Sequence, residues 1–177
     1  MIADSEYIQW LSDVKKRFRQ SQGRALVKVN AEMLDFYWGI GRDLVMLKAE
    51  ARWGDGVVKQ FAFDMREAFP EASGFSYSNV KYMKQWYSFY FEQLAKSHQV
   101  GDQLGITSKS HQTDDQLEMP EVLGKIPWKH HVHIVSKCQT LEEALFYINK
   151  IASEGWSRSV LEHQLASKLY ENQGKAI

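Results

Sequence analysis

The sequence predicts an all-α fold of about six or seven helices, built around a helix-turn-helix-like pair and interrupted by a long, flexible acidic loop. Three observations lead there. Apolar residues recur every three or four positions through most of the chain, the spacing of helices that bury one face. No stretch reads convincingly as a β-strand, and no internal repeat is visible. Capping and breaking residues stand where each periodic stretch begins and ends.

The central pair lies between Trp53 and Phe91. Val57, Val58, Phe61, Ala62, Met65 and Ala68 share one helical face, with Asp55 expected to cap that helix. Phe69-Pro70 closes it, because proline disfavours the α region for the residue before it. Gly74 supplies a flexible position in the turn. Ser76 is placed to accept a backbone N–H at the start of the second helix, whose buried stripe is Val80, Met83, Tyr87 and Tyr90. Helix, turn, helix is the outline of a nucleic-acid reader, and equally of an αα-corner in a helical domain.

Ahead of the pair, Asp4 to about Gln20 reads as a first helix with Ile8, Leu11, Val14 and Phe18 on one side. A second pattern runs from Arg24 to Ala51, where Leu26, Asn30, Met33, Tyr37, Ile40, Leu44 and Leu47 approach a heptad seam. Asn30 within that seam is expected to fix the register of a paired helix. Gly39 and Gly41 each weaken a helix by about 1 kcal/mol relative to alanine, which makes sense where another backbone packs closely.

Behind the pair, residues 99-124 are polar, rich in Gly, Ser, Asp and Gln, and read as a flexible loop. Pro127 then opens a short helix. Thr140 caps another with Leu141, Ala144, Leu145, Ile148 and Ile151 inward, and Gly155 ends it. Ser157 caps a last helix with Val160, Leu161, Leu165 and Leu169 inward. The organisation expected is one domain in two parts. An N-terminal helical part over 1-98 contains the pair at 53-91, and a C-terminal helical part covers 125-177 beyond the loop.

Composition narrows the function classes. A content of 44% hydrophobic and 13% aromatic residues supports a ring-rich core. The lone Cys138 excludes an internal disulfide and fits a reducing compartment. No secretory signal and no run of 18 apolar residues is present, so the expectation is a cytoplasmic protein with no membrane partner. Net charge is zero, which counts against a sequence-blind DNA coater. Local charge is uneven: Lys15, Lys16, Arg17, Arg19, Arg24 and Lys28 crowd one region, while Lys81 and Lys84 lie in a stretch, Ser76 to Phe91, without an acid. The basic run is either a solvated helix face or a phosphate-contacting surface.

Several phrases occur in one order: N30-AEMLDFYWGIGRDL, W53-G, FP-EASGFSYSNVKYMKQWY, I126-PWKHH, FYI at Phe146 to Ile148, and G155-WSRSVLEHQL. Together, over roughly Tyr7 to Tyr170, they resemble the N-terminal helical domain of the YhcG-like family of bacterial proteins. The resemblance implies a cytoplasmic protein linked to DNA metabolism. In that family this domain normally precedes a PD-(D/E)XK nuclease domain, and is presumed to bind DNA or mediate assembly. The present chain stops where the nuclease domain is expected to begin, which reads as a truncation or a stand-alone domain.

A PD-(D/E)XK centre needs an acid and an acid-x-Lys tripeptide on neighbouring strands to hold Mg²⁺ and position water. No Glu-x-Lys occurs, and the single Asp-x-Lys, Asp13-Val14-Lys15, sits on an amphipathic helix. The expectation is therefore no catalytic residue, no cofactor and no enzyme activity. His130, His131 and His133 invite a metal reading, but on a helix only His130 and His133 share a face and no neighbouring Cys or His completes a tetrahedral set. No metal site is expected.

If the second helix of the pair enters a major groove, its outward N-terminal residues meet base edges. Those are Tyr77, Ser78, Asn79, Lys81 and Gln85, with Tyr82 beside them and Lys84 toward phosphate. Lys15, Lys16, Arg19, Arg24 and Arg158 are the further candidates for phosphate contact. Against this, Tyr82, Trp86 and Phe89 form a second apolar face that leaves the helix little to offer a groove. The leading expectation is a dimeric DNA-binding or targeting module for a nuclease domain in cis or in trans. The alternative is an assembly module that pairs subunits through the Leu26 to Leu47 helix and touches no DNA.

Overall fold

The computed structural model describes residues 4–96 and 117–173. Among these the architecture is all-helical, with no strand. Helix α1 spans Ser5–Met46, α2 Ala49–Trp53, α3 Val57–Ala68 and α4 Tyr77–Lys96. A 3-10 turn at Glu121–Lys125 leads to α5 Trp128–Lys137, α6 Leu141–Glu154, α7 Arg158–Ala166 and α8 Leu169–Asn172.

The two helices expected before Trp53 are one. Asp4 caps α1 as a helix start should, its Oδ1 accepting the Glu6 N–H at 2.7 Å. The helix then runs 42 residues, about 63 Å at 1.5 Å per residue. Gly23 does not break it: no proline accompanies it, and it lies on an open surface where an added Cβ meets nothing. The end is set by Lys48, whose left-handed φ of 49° separates α1 from the short α2.

Only the C-terminal part of α1 builds the core. Leu34, Tyr37, Trp38, Gly41 and Leu44 are buried. The seam expected from Leu26 to Leu47 is buried only in part: Tyr37 and Leu44 are buried and Ile40 packs on the core, while Leu26, Met33 and Leu47 are exposed. Asn30 does not sit in a paired-helix seam either. Its side-chain amide donates to the carbonyls of Gly124 (3.1 Å) and Ile126 (3.0 Å), pinning the 3-10 turn onto α1.

Helix α4 is the axis of the core. Val80, Met83, Trp86, Tyr87 and Tyr90 are 0% exposed. Trp38 meets Trp86 and Tyr87 edge-on at 5.2 and 5.0 Å, and Trp86 meets Trp128 at 5.0 Å. Such T-shaped pairs place the positive edge of one ring on the negative face of the next. The rings therefore stitch α1, α4 and α5 together.

The local signals around α3 and α4 hold in part. Phe69 closes α3 before Pro70, and Ser76 Oγ accepts the Asn79 N–H at 3.1 Å. Gly74 has φ +105°, a conformation that L side chains rarely adopt. Asp55 does not cap α3. The capping position falls one residue later, on Gly56, with no side-chain bond. The connection Phe69–Ser76 is also longer than the roughly three or four residues of a DNA-reading turn.

Beyond the middle, residues 99–116 of the expected loop lie outside the described residues. Its last part, 117–124, is packed structure: the Leu117 carbonyl accepts the Trp38 indole N–H at 2.8 Å, and Leu123 is fully buried. Thr140 and Ser157 cap α6 and α7 through the N–H groups of Glu143 and Val160. Gly155 ends α6 at φ +66°. The expected last helix divides at Lys168 into α7 and α8, and only Leu161 of its stripe is fully buried; Val160 is exposed.

Candidate nucleic-acid interface

The sequence-predicted contact residues fall into three places. Lys15, Lys16, Arg19 and Arg24, together with Arg17 and Lys28, lie on the part of α1 ahead of Leu34 and are all exposed. The core and the residues packed against it draw on α1 only from Leu34 onward. The helix up to Val29 thus stands away from the described body, with its cations in water.

The second place is the start of α4. Tyr77, Ser78 and Lys81 are exposed, and the Lys81 ammonium sits 4.5 Å from the centre of the Tyr77 ring. That geometry is a cation–π contact, which holds the lysine over its own helix. Asn79 faces inward. Its Nδ2 donates to the Gly74 carbonyl at 2.6 Å and its Oδ1 accepts the Trp128 indole N–H at 2.7 Å. With both ends of the amide engaged, Asn79 has no bidentate face for adenine.

Lys84 is also committed. Its Nζ lies 2.6 and 2.7 Å from the two Glu50 carboxylate oxygens, clamping α2 to α4. That hydrogen bond, more than the charge, holds the Glu50 carboxyl below its ordinary range. Gln85 is exposed, with a long 3.4 Å amide contact to the Val135 carbonyl. Because α4 carries five fully buried residues and Tyr82 and Phe89 also pack on the core, the helix is covered on two sides. It presents an N-terminal edge to solvent, not a whole face.

Arg158 defines the third place. It lines a cleft of about 810 Å³ with Ser76, Asn79, Trp128, Lys129 and His130, at the first turns of α4, α5 and α7. Helix starts carry free N–H groups and the positive end of the helix dipole, so the electrostatics here favour an anion. Lys129 was not among the predicted contacts. Its signal in the sequence was a cation in the first turn after Pro127, and nothing local shows that this turn meets the starts of α4 and α7.

The histidines serve the fold. His130 Nε2 donates to the Trp156 carbonyl at 2.9 Å, and His131 Nε2 donates to the Leu123 carbonyl at 2.7 Å. His133 Nε2 lies 3.0 Å from Glu162. Burial pushes His131 down to about 4, keeping it neutral. Burial also pushes the Cys138 thiol up to about 12, with the Glu143 charge adding to it. Cys138 is thus a packing residue and a poor nucleophile. Among the described residues no cluster of three or more His, Cys, Asp or Glu side chains is placed to hold a metal ion, and no helix is long and apolar enough to cross a membrane.

Among the described residues the fold and these surfaces define an all-helical domain whose core is a cage of aromatic rings and which carries six exposed cations on the projecting part of α1. The family model of the DUF1016 N-terminal domain matches residues 13–172, and the chain belongs to that family, in keeping with the YhcG-like resemblance. No curated protein and no solved structure showed a match to the chain.

Proposed function

We propose that this chain is a non-catalytic module of the bacterial cytoplasm that targets a PD-(D/E)XK nuclease domain, in cis or in trans, to DNA. The observation that carries the reading is the segment from Val14 to Val29. It contains Lys15, Lys16, Arg17, Arg19, Arg24 and Lys28, contains no acid, and is exposed at every one of those cations. A surface of this kind engages phosphates by releasing their counterions, without reading base sequence.

In this reading DNA lies along α1, and sequence discrimination is weak because α4 is occupied in the core. Tyr77, Ser78, Lys81 and Arg158 are the accessory contacts on the body. The test is fluorescence anisotropy with a labelled duplex. Reversing Lys15, Lys16 and Arg19 to glutamate is expected to abolish binding. Reversing Lys84 is expected to act through stability, since its partner is Glu50. Equal duplex binding by the α1 variant and the unmodified chain contradicts the proposal.

The assembly reading has its own support. Tyr7, Ile8, Trp10, Phe18, Leu26, Val27 and Val29 are exposed on the same projecting helix. An apolar surface of that kind is unusual unless a partner covers it.

A further inference from the structure

We infer that the N-terminal half of α1 pairs with the same segment of a second copy of this chain, and that the two helices run antiparallel. The inference concerns a different surface from the Leu26 to Leu47 seam and does not rest on DNA binding.

The apolar stripe comes first. At about 100° per residue, Tyr7, Leu11, Val14, Phe18, Ala25 and Val29 fall along one face of the helix. The steps from Tyr7 to Phe18 alternate four, three and four, the spacing of a two-helix seam. Phe18 is 62% exposed and Val29 67%. Further along α1 the stripe reaches Phe36, still 51% exposed, whereas Leu34, Trp38 and Gly41 turn a different side of the helix into the core. The outer stripe is therefore not a frayed continuation of the core face. A helical segment without tertiary packing is marginal in water, and among the described residues none of the hydrophobic core packs on this arm, so an arm of this length gains its stability from a second surface.

Charge chooses the occupant and its direction. From Asp4 to Asp13 the arm carries Asp4, Glu6 and Asp13 and no cation. From Val14 to Val29 it carries six cations and no acid. Two arms in parallel lay cations against cations. Two arms crossing antiparallel near the Val14–Phe18 midpoint lay the acidic end of each on the basic half of the other. Glu6, Asp13, Arg17, Arg24 and Lys28 lie on one flank of the stripe. The antiparallel crossing brings Glu6 between Arg24 and Lys28 of the second copy and Asp13 beside Arg17. Because the cations outnumber the acids, the paired arms remain basic outside the seam.

The test is mass in solution by light scattering, without DNA, on the full chain. The expected result is twice the chain mass for the unmodified protein and the single-chain mass for the L11E/F18E double variant. Helical circular dichroism of the core should remain, since neither residue contacts it. The E6K/D13K variant is expected to weaken the dimer at least tenfold, and adding R17E/R24E is expected to restore it, an outcome that misfolding cannot imitate. Direction is read by pulsed electron resonance with a nitroxide at Gln9→Cys, the buried Cys138 remaining unlabelled. Antiparallel arms offset the two labels by about 20 Å along the axis, while parallel arms leave them level with each other and so give the shorter distance. A single-chain mass at every concentration, a dimer indifferent to the charge exchange, or the short label distance each overturns the inference.

Discussion

Gly41 on α1 lies against the main-chain carbonyl of Met83 on α4, so closely that a Cβ at position 41 would collide with that oxygen. The two helices that carry most of the aromatic core thus cross at a point where one of them has no side chain. Tyr87 stands beside the same point, its Cβ 3.0 Å from where the added carbon would go. Neither a carbonyl on a packed helix nor a Cβ can move aside at low cost.

Gly41→Ala is accordingly expected to destabilise the domain by about 1–3 kcal/mol, the usual cost of overpacking, despite alanine's better helix propensity. Gly39→Ala is the control. An added Cβ there meets only the Arg42 side chain at 3.8 Å, so it should be neutral or slightly stabilising. Urea unfolding of both variants checks the pair; equal effects contradict the close-crossing account.

Asn79 supplies a second prediction, which separates base reading from packing. It joins the Gly74 turn to the Trp128 indole, in the cleft that Tyr37 also lines. Asn79→Ala leaves a buried indole N–H without its acceptor, a loss of about 1–3 kcal/mol. The midpoint of urea unfolding should fall, while duplex affinity measured under folding conditions stays unchanged. A loss of affinity with stability intact would show Asn79 at a base edge instead.

The His131 imidazole makes stability depend on pH. The folded state holds it down to about 4 against an ordinary 6.5, chiefly because burial penalises its charged form. Between those values the unfolded chain binds the proton more readily, so stability falls as pH drops from about 6.5 toward 4. At about 1.4 kcal/mol per unit the loss is about 3 kcal/mol, complete near pH 4. The difference between the unmodified chain and His131→Gln, followed by denaturant unfolding across this window, isolates the effect. Glutamine keeps a donor for the Leu123 carbonyl, so parallel pH profiles would contradict the assignment.

What the sequence made legible was local. Ser76, Thr140 and Ser157 act as caps because a cap bonds within three residues, and Pro70 and Gly155 stop helices for equally local reasons. The close approach at Gly41 was foreseeable as a need for space. What met it was not, because Met83 is brought there by tertiary folding. The same holds for the candidate interface. Lys81 and Lys84 look alike in sequence, yet one stays at the surface and the other is claimed by Glu50, 34 positions away. Asn79 resembles a base reader until Trp128, 49 positions later, takes its oxygen. The sequence reads as two helices where the structure has the single α1, because the apolar stripe that ends at Phe18 is not taken up again until Leu26. That its first part stands away from the described core followed from no periodic signal, since an amphipathic pattern shows that a face is covered and not by what.

The measurement that bears most directly on the central proposal is duplex affinity across a salt series, with the unmodified chain and the Lys15, Lys16 and Arg19 charge-removal variants. The account predicts a straight log–log decline whose slope reports several phosphates engaged, and a slope shallower by about one for each of those cations removed. An affinity that does not change with salt, or a slope untouched by removing them, contradicts DNA targeting through α1.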